Sequence, residues 1–252
     1  MGHLRRHANP DEVPSNAMIS RLSMTRLLAL FLAFLAPAGP SPADGTGGSG
    51  TVAGHVTLVR KGSASDAANA VVWIDGLKTG AAPHLLRGEM KSQGKKFVPR
   101  VVAVEKNAEV DFPNADAIFH NVFSVSPANR FDLGLYRSGG SKQKRFEETG
   151  LVRVYCNIHP QMVGFVMVVD SDFAAVTGPD GSFRFENVPA GAWTVKIWHE
   201  EGGESSAPVT VRPRAETAVA LKLDATDFRR EPHKNKYGKD YPPQAGADDE
   251  RY

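Results

Sequence analysis

The chain has a single cysteine among its 252 residues, Cys156, so it cannot close an internal disulfide. No C-x-x-C-H run is present, which excludes covalent attachment of a c-type haem. An excess of either charge is also lacking. Lys and Arg number 30 against 28 Asp and Glu, a formal charge of +2. Setting aside residues 1–43 leaves 26 of each sign, so no basic surplus argues for a nucleic-acid partner. Helical periodicity is hard to find anywhere after residue 44.

Long apolar runs are scarce too. The one that stands out, Leu27–Ala36 (LLALFLAFLA), is too short to span a bilayer. Arg21 and Arg26 precede it and Ser41-Pro42-Ala43 follows, which predicts a secretory signal and upstream lead in 1–43. Met18 and Met24 are alternative starts, and Arg5-Arg6 is a weak twin-arginine candidate. The mature chain is expected to begin near Asp44, to carry no membrane span and to reside in the periplasm. In an oxidising compartment a lone thiol is oxidised unless it is buried or bound. That makes Cys156 the first informative residue.

What is present is β pattern. Val52, Val56 and Leu58 alternate with other residues, and Ala70–Ile74 forms a second run that ends at Asp75-Gly76. A linker is expected over 77–84. Val101–Glu105 and Glu109–Phe112 read as a hairpin around Lys106-Asn107, followed by a strand over Asn121–Val125. Val152, Val154 and Cys156 share one face of a strand, and Phe165, Met167 and Val169 share one face of the next. Phe183 with Phe185, Trp193 with Val195 and Ile197, Val209 with Val211, and Val219 with Leu221 and Leu223 supply further strands. Residues 224–252 are charged and poor in aliphatics, which predicts a disordered tail.

Between two of these strands lies Cys156-Asn157-Ile158-His159-Pro160-Gln161-Met162, a C-x2-H-x2-M loop, and His120 stands 36 residues before the cysteine. A soft thiolate, two neutral imidazoles and a weak axial thioether suit copper in both oxidation states. Zinc can take the same nitrogen and sulfur donors, but a thioether serves it poorly. Cys156 alone can equally be a small core residue, and His159 alone a surface one.

The surrounding residues carry the distinction. Phe97-Val98-Pro99, Asn114, His120-Asn121-Val122 and the Cys156–Met162 loop resemble the plastocyanin-like cupredoxins, with the His-to-Met spacing of the amicyanin and pseudoazurin pattern. The resemblance covers residues 85–170. It implies an eight-stranded Greek-key sandwich with one blue (type 1) copper per chain, cycling between Cu(II) and Cu(I). By that resemblance His120, Cys156 and His159 are equatorial ligands, Met162 is axial, and the Asn121 amide braces the sulfur. Asn157 departs from the Ser or Thr usual there. The resemblance also implies electron exchange through His159, within an apolar patch for which Phe119, Ile158 and Pro160 are candidates. The missing H-x-H pair excludes a trinuclear oxidase centre, and one cysteine excludes a dinuclear two-cysteine centre. With four protein ligands no position is left for substrate, so no enzymatic activity is expected.

Residues 177–199 (TGPDGSFRFENVPAGAWTVKIWH) resemble the carboxypeptidase regulatory-like, transthyretin-like β-sandwich through the Asp180-Gly181 and Val188–Gly191 turns. The strands that open that family match residues 54–74, which lie before the copper motifs. The expected fold is therefore all-β: a copper domain over 84–171 inserted into, or adjoining, a smaller sandwich split between 50–80 and 172–223. His199-Glu200 is expected to be a polar strand end and not a metal site. Chains of this kind resemble methylamine utilisation-type periplasmic proteins. The expected function is one-electron transfer between unknown donor and acceptor proteins docking near His159. The alternative is an envelope module that stores or delivers copper, or binds carbohydrate or protein through its second sandwich.

Overall fold

The computed structural model describes residues 47–80 and 87–242. The expected signal segment, part of the 77–84 linker with the first residues of the copper domain, and residues 243–252 of the expected tail lie outside the described residues. Those described residues form strands and turns, without a helix long and apolar enough to cross a membrane. The fold is all-β.

Three strands precede the copper motifs: β1 (Ser49–Arg60), β2 (Ser63–Asp66) and β3 (Val71–Ile74). Ten follow: β4 (Arg87–Glu89), β5 (Lys91–Ser92), β6 (Phe97–Val98), β7 (Val101–Glu105), β8 (Glu109–Pro113), β9 (His120–Ser124), β10 (Phe131–Tyr136), β11 (Ser141–Arg145), β12 (Gly150–Cys156) and β13 (Val163–Val169). The chain then adds β14 (Ala174–Val176), β15 (Ser182–Pro189), β16 (Gly191–His199), β17 (Gly203–Val211) and β18 (Glu216–Asp224).

Pairing sorts these strands into two groups. β1 lies between β15, antiparallel, and β18, parallel, and also forms a hairpin with β2. β3 pairs with β14 and β16, and β17 extends that sheet. Within the copper-motif segment the sheets run β10-β9-β12-β13-β7 and β11-β8-β4, with β5 and β6 paired beside them. The segments on either side of the copper motifs thus share sheets with each other. We refer to them as the outer sandwich and to β4–β13 as the inner one. That the outer strands form an independently folding split domain is a proposal built on this pairing.

One glycine shows how closely the outer sheet is drawn together. A Cβ on Gly54 of β1 would come within 2.1 Å of the Val219 carbonyl and 2.7 Å of the Phe183 ring. Any side chain there would push β1 away from a neighbour.

The sheets stack as four layers with three apolar cores between them. Val52, Val56 and Leu58 of β1 meet Val72, Ile74, Val195 and Ile197 inside the outer sandwich. Val102, Val104, Val152, Val154, Cys156, Val166 and Val168 meet Val110 and Phe112 inside the inner one. The third core joins the two sandwiches. Val71, Trp73, Ala174 and Trp198 pack against Val101, Ala103, Phe165, Met167 and Val169. The Arg100 guanidinium bridges the same junction, bonding both Glu200 carboxylate oxygens at 2.7 and 2.6 Å.

Two expectations are corrected. Val101–Glu105 and Glu109–Phe112 are not a hairpin: β7 pairs in parallel with β13, while β8 pairs with β11 and β4 in the opposite sheet. Lys106-Asn107, with Asn107 at φ 72°, arches from one sheet to the other. Alternating burial looks the same in both arrangements, so the pattern could not separate them. The expected disorder from 224 onward is also overturned for the described part, because residues 225–242 lie against the rest of the protein through the specific contacts described below.

The joining core governs dissection. Joining residue 81 to residue 172 by a short Gly/Ser linker would bare Trp73 and Trp198, each larger than the aliphatic and Phe side chains whose full burial is worth about 1.5–3 kcal/mol. The bridged chain should show an all-β circular dichroism spectrum and bind a hydrophobic dye. It should also bind the separately expressed 84–171 module with 1:1 stoichiometry. A bridged chain that stays unfolded even with that module present would refute the split sandwich.

Candidate metal centre

The site forms where two neighbouring strands end. Cys156 closes β12 opposite Val122 of β9, and His120 begins β9 two residues earlier, on the same face. After Cys156 the chain turns back into β13 within six residues. The Asn157 amide donates to the Asn121 carbonyl at 2.9 Å, Met162 N–H to the His159 carbonyl at 3.0 Å, and Cys156 N–H to the Met162 carbonyl at 3.3 Å. These bonds close the loop at its base and swing His159 over the sulfur.

Three donor atoms converge as a result. Cys156 Sγ lies 3.7 Å from His120 Nδ1 and 3.6 Å from His159 Nδ1, and the two nitrogens are 3.2 Å apart. The circle through the three atoms has a radius of about 2.0 Å, the length of a first-row metal–imidazole bond. Cys156 and His120 are fully buried and His159 is half-buried. Met162 is fully buried in the same core cluster as Cys156. Of the four residues singled out from sequence, three bring donor atoms together and the fourth lies in the core beside them; its axial role is a proposal.

Protonation leaves these atoms free to take a cation. His120 Nε2 lies 2.9 Å from Asp116 Oδ2 and donates to it, which leaves a lone pair on Nδ1. That lone pair faces His159 Nδ1 at a distance where two acceptors repel unless a proton or a metal lies between them. Burial holds His120 below its ordinary pKa despite the helping Asp116 carboxylate. Burial, with His120 and Lys95 nearby, holds His159 at about 4. Both imidazoles are therefore neutral near pH 7 and free to ligate. Burial pushes the Cys156 thiol up, opposed by the backbone amides of Asn121, Ile158 and His159 directed at the sulfur. The expected brace from Asn121 is thus joined by two amides from the loop itself.

Asp116 escaped the reading of the sequence. Burial would raise its carboxyl, but the amides of Lys95 and Gly94, together with His120, outweigh that and hold it below the usual carboxylate range. It fixes the His120 tautomer and ring direction, as carboxylate partners of metal-ligating histidines do. A carboxylate four residues before the histidine was the only available signal.

His199-Glu200, read as a strand end, behaves as one. His199 Nδ1 accepts from the Glu201 amide at 3.1 Å, and Glu200 is engaged by Arg100 and Arg230. Among the described residues searched, the grouping of His, Cys, Asp and Glu side chains able to hold a metal is His120, Cys156 and His159.

No protein-family model matches the chain, and no curated protein does. Solved structures give partial likenesses. A copper-containing nitrite reductase from Thermus scotoductus SA-01 matches at 23% identity over 33% of this chain and 22% of its own, with a TM-score of 0.31. A purple cupredoxin from Nitrosopumilus maritimus matches at 22% identity over 32% of this chain and 98% of its own, TM-score 0.29. Amicyanin from Paracoccus versutus matches at 17% identity over 39% of this chain and 96% of its own, TM-score 0.31. The chain spans about a fifth of the nitrite reductase and nearly all of the two small proteins. The case for a metal rests on the donor atoms themselves.

Two outcomes follow from these protonation states. Metal binding should release close to one proton per metal near pH 7, from the Cys156 thiol, because the imidazoles have none to lose. Calorimetric titration in buffers of different ionisation enthalpy measures this. A release near three would mean the histidines are protonated. Asp116→Ala should lower metal affinity about 10–100-fold while leaving the fold intact, read by competition with a chelator.

Proposed function

We propose that this chain is an exported one-electron carrier with a single type 1 copper held by His120, Cys156, His159 and Met162. The observation that carries the reading is the donor triangle: one cysteine sulfur and two neutral imidazoles on a circle of metal–imidazole bond radius, with a buried methionine beside it. Bound there, copper would supply reversible Cu(II)/Cu(I) chemistry. The protein's part is to hold the donors so that little moves when an electron arrives. The buried sulfur, its three amide donors and the Asp116–His120 pair all favour such rigidity.

Four protein ligands leave no position for substrate, which favours electron transfer over catalysis. Donor and acceptor proteins would dock near His159, where Phe119 is exposed. Ile158 instead packs against the inner core, and the Pro160 carbonyl accepts from His233 at 2.8 Å. The apolar patch therefore rests on Phe119 more than on the other two residues. Storage or delivery of copper needs labile metal, and the burial of His120, Cys156 and Met162 speaks against that. The periplasm as destination rests on the Leu27–Ala36 run alone.

The copper-loaded protein should show an intense visible thiolate-to-Cu(II) band that Cys156→Ser abolishes. Met162→Leu should retain copper and raise the reduction potential, since Cu(II) loses a donor more acutely than Cu(I). Met162→Gln should lower it. Voltammetry reads both. A colourless, redox-silent protein that binds zinc tightly would overturn the electron-carrier reading, and unchanged potentials in both variants would remove Met162 from the site.

A further inference from the structure

The chain does not stop at the outer sandwich. From β18 it runs back across the stack, with the Ala225 amide on the Val59 carbonyl, Phe228 against the outer core, and Arg230 on Glu200 at 3.2 Å. It then reaches the Cys156–Met162 loop. There residues 234–240 close on themselves: the Asn235 amide donates to the Lys239 carbonyl at 2.8 Å, and the amides of Tyr237 and Lys239 donate to Asn235 Oδ1.

The contacts made from this turn and its two flanking residues fall on Tyr155, Cys156, Asn157 and Pro160, and on Asp132, which holds the Asn121 side chain. The His233 ring stacks on Tyr155, centroids 4.0 Å apart and 22° from parallel, and its Nε2 donates to the Pro160 carbonyl at 2.8 Å. The Tyr241 hydroxyl donates to the Cys156 carbonyl at 2.8 Å. The Lys236 amide donates to Asn157 Oδ1 at 3.0 Å. Lys236 Nζ reaches Asp132 Oδ2 at 2.7 Å, and the other oxygen of that carboxylate accepts from Asn121 Nδ2 at 2.6 Å. Asn121 is the residue whose amide faces the sulfur.

We propose that residues 231–242 are a positioning strap, by which the C-terminal extension of the outer sandwich fixes the backbone of the metal loop in the inner one. This rests on the reading of the loop as a metal site. The anchors converge on one short stretch: the backbone carbonyls of Cys156 and Pro160, the Asn157 side-chain oxygen between them, the Tyr155 ring that leads into the loop, and the Asn121 side chain through Asp132. The strap also gives the asparagine at 157 a task, because its side-chain oxygen receives the Lys236 amide. And it gives the outer sandwich a role toward the metal, as the platform from which the strap extends.

The test uses the full chain carrying His233→Ala with Tyr241→Phe, and separately Lys236→Met with Lys236→Arg as its conservative rescue. In the apoprotein, amide hydrogen exchange of residues 156–162 should quicken about 10-fold or more in the double variant, with β7 and β13 unchanged. After loading with copper, loss of the metal to a chelator should quicken by a similar factor, and the visible band should shift. Lys236→Met should show a smaller change, which Lys236→Arg reverses. Unchanged loop exchange in the double variant overturns the strap. So does faster electron exchange with a small inorganic oxidant at unchanged loop exchange, since the segment would then be a cover. If the wild type takes up no copper, the metal reading fails, while loop protection in the apoprotein still decides whether the strap holds the loop.

Discussion

The structure depends on a sheet buried on both faces. β13 and β7 are buried on both faces: Val166, Val168, Val102 and Val104 point into the inner core beside Cys156, while Phe165, Met167, Val101 and Ala103 point toward the outer sandwich, with Glu105 at the end of β7 paired to Lys78. A strand held in this way cannot slip by one residue, because a slip would exchange two differently shaped apolar faces. β13 in turn is the strand into which the ligand loop runs, so its fixed register sets where Met162 and His159 can lie. The outer sandwich thus acts on the metal site first through packing, before any hydrogen bond is considered.

Electrostatics completes what packing begins. Three electron-pair donors brought together in an apolar interior repel one another, and the protein tolerates this by directing N–H groups at the sulfur and a carboxylate at the remote nitrogen of His120. The loop is the place where local comfort is given up, as is common at functional sites.

Much of this was legible in the sequence, and the residues show why. Cys156, His159 and Met162 are neighbours along the chain, so their spacing alone brings them to one short loop. His120 needed only a strand start. Phe165, Met167 and Val169 share a face because strand periodicity is strict. What stayed hidden has one physical cause: it depends on which surfaces meet. Trp73 and Trp198 read as ordinary core residues whether they face one sandwich or a second. The pairing of β7 with β13 and not with β8 leaves no mark on alternation. Residues 231–242 hold their place through single polar and ring contacts from His233, Lys236 and Tyr241, and composition reads such segments as unstructured because it weighs aliphatic content.

The parallel pairing of β1 with β18 has a consequence in time. Among the described residues a ribosome delivers β1 first and β18 after every other strand, so the first of these strands must wait for the last. The inner sheets need only residues within one contiguous stretch and can close meanwhile, since short-range contacts form faster than those spanning a whole chain. The outer sandwich follows, and the strap, lying beyond β18, comes to rest after it. With the strap holding it, the ligand loop is built early and tightened only after β18 has been made.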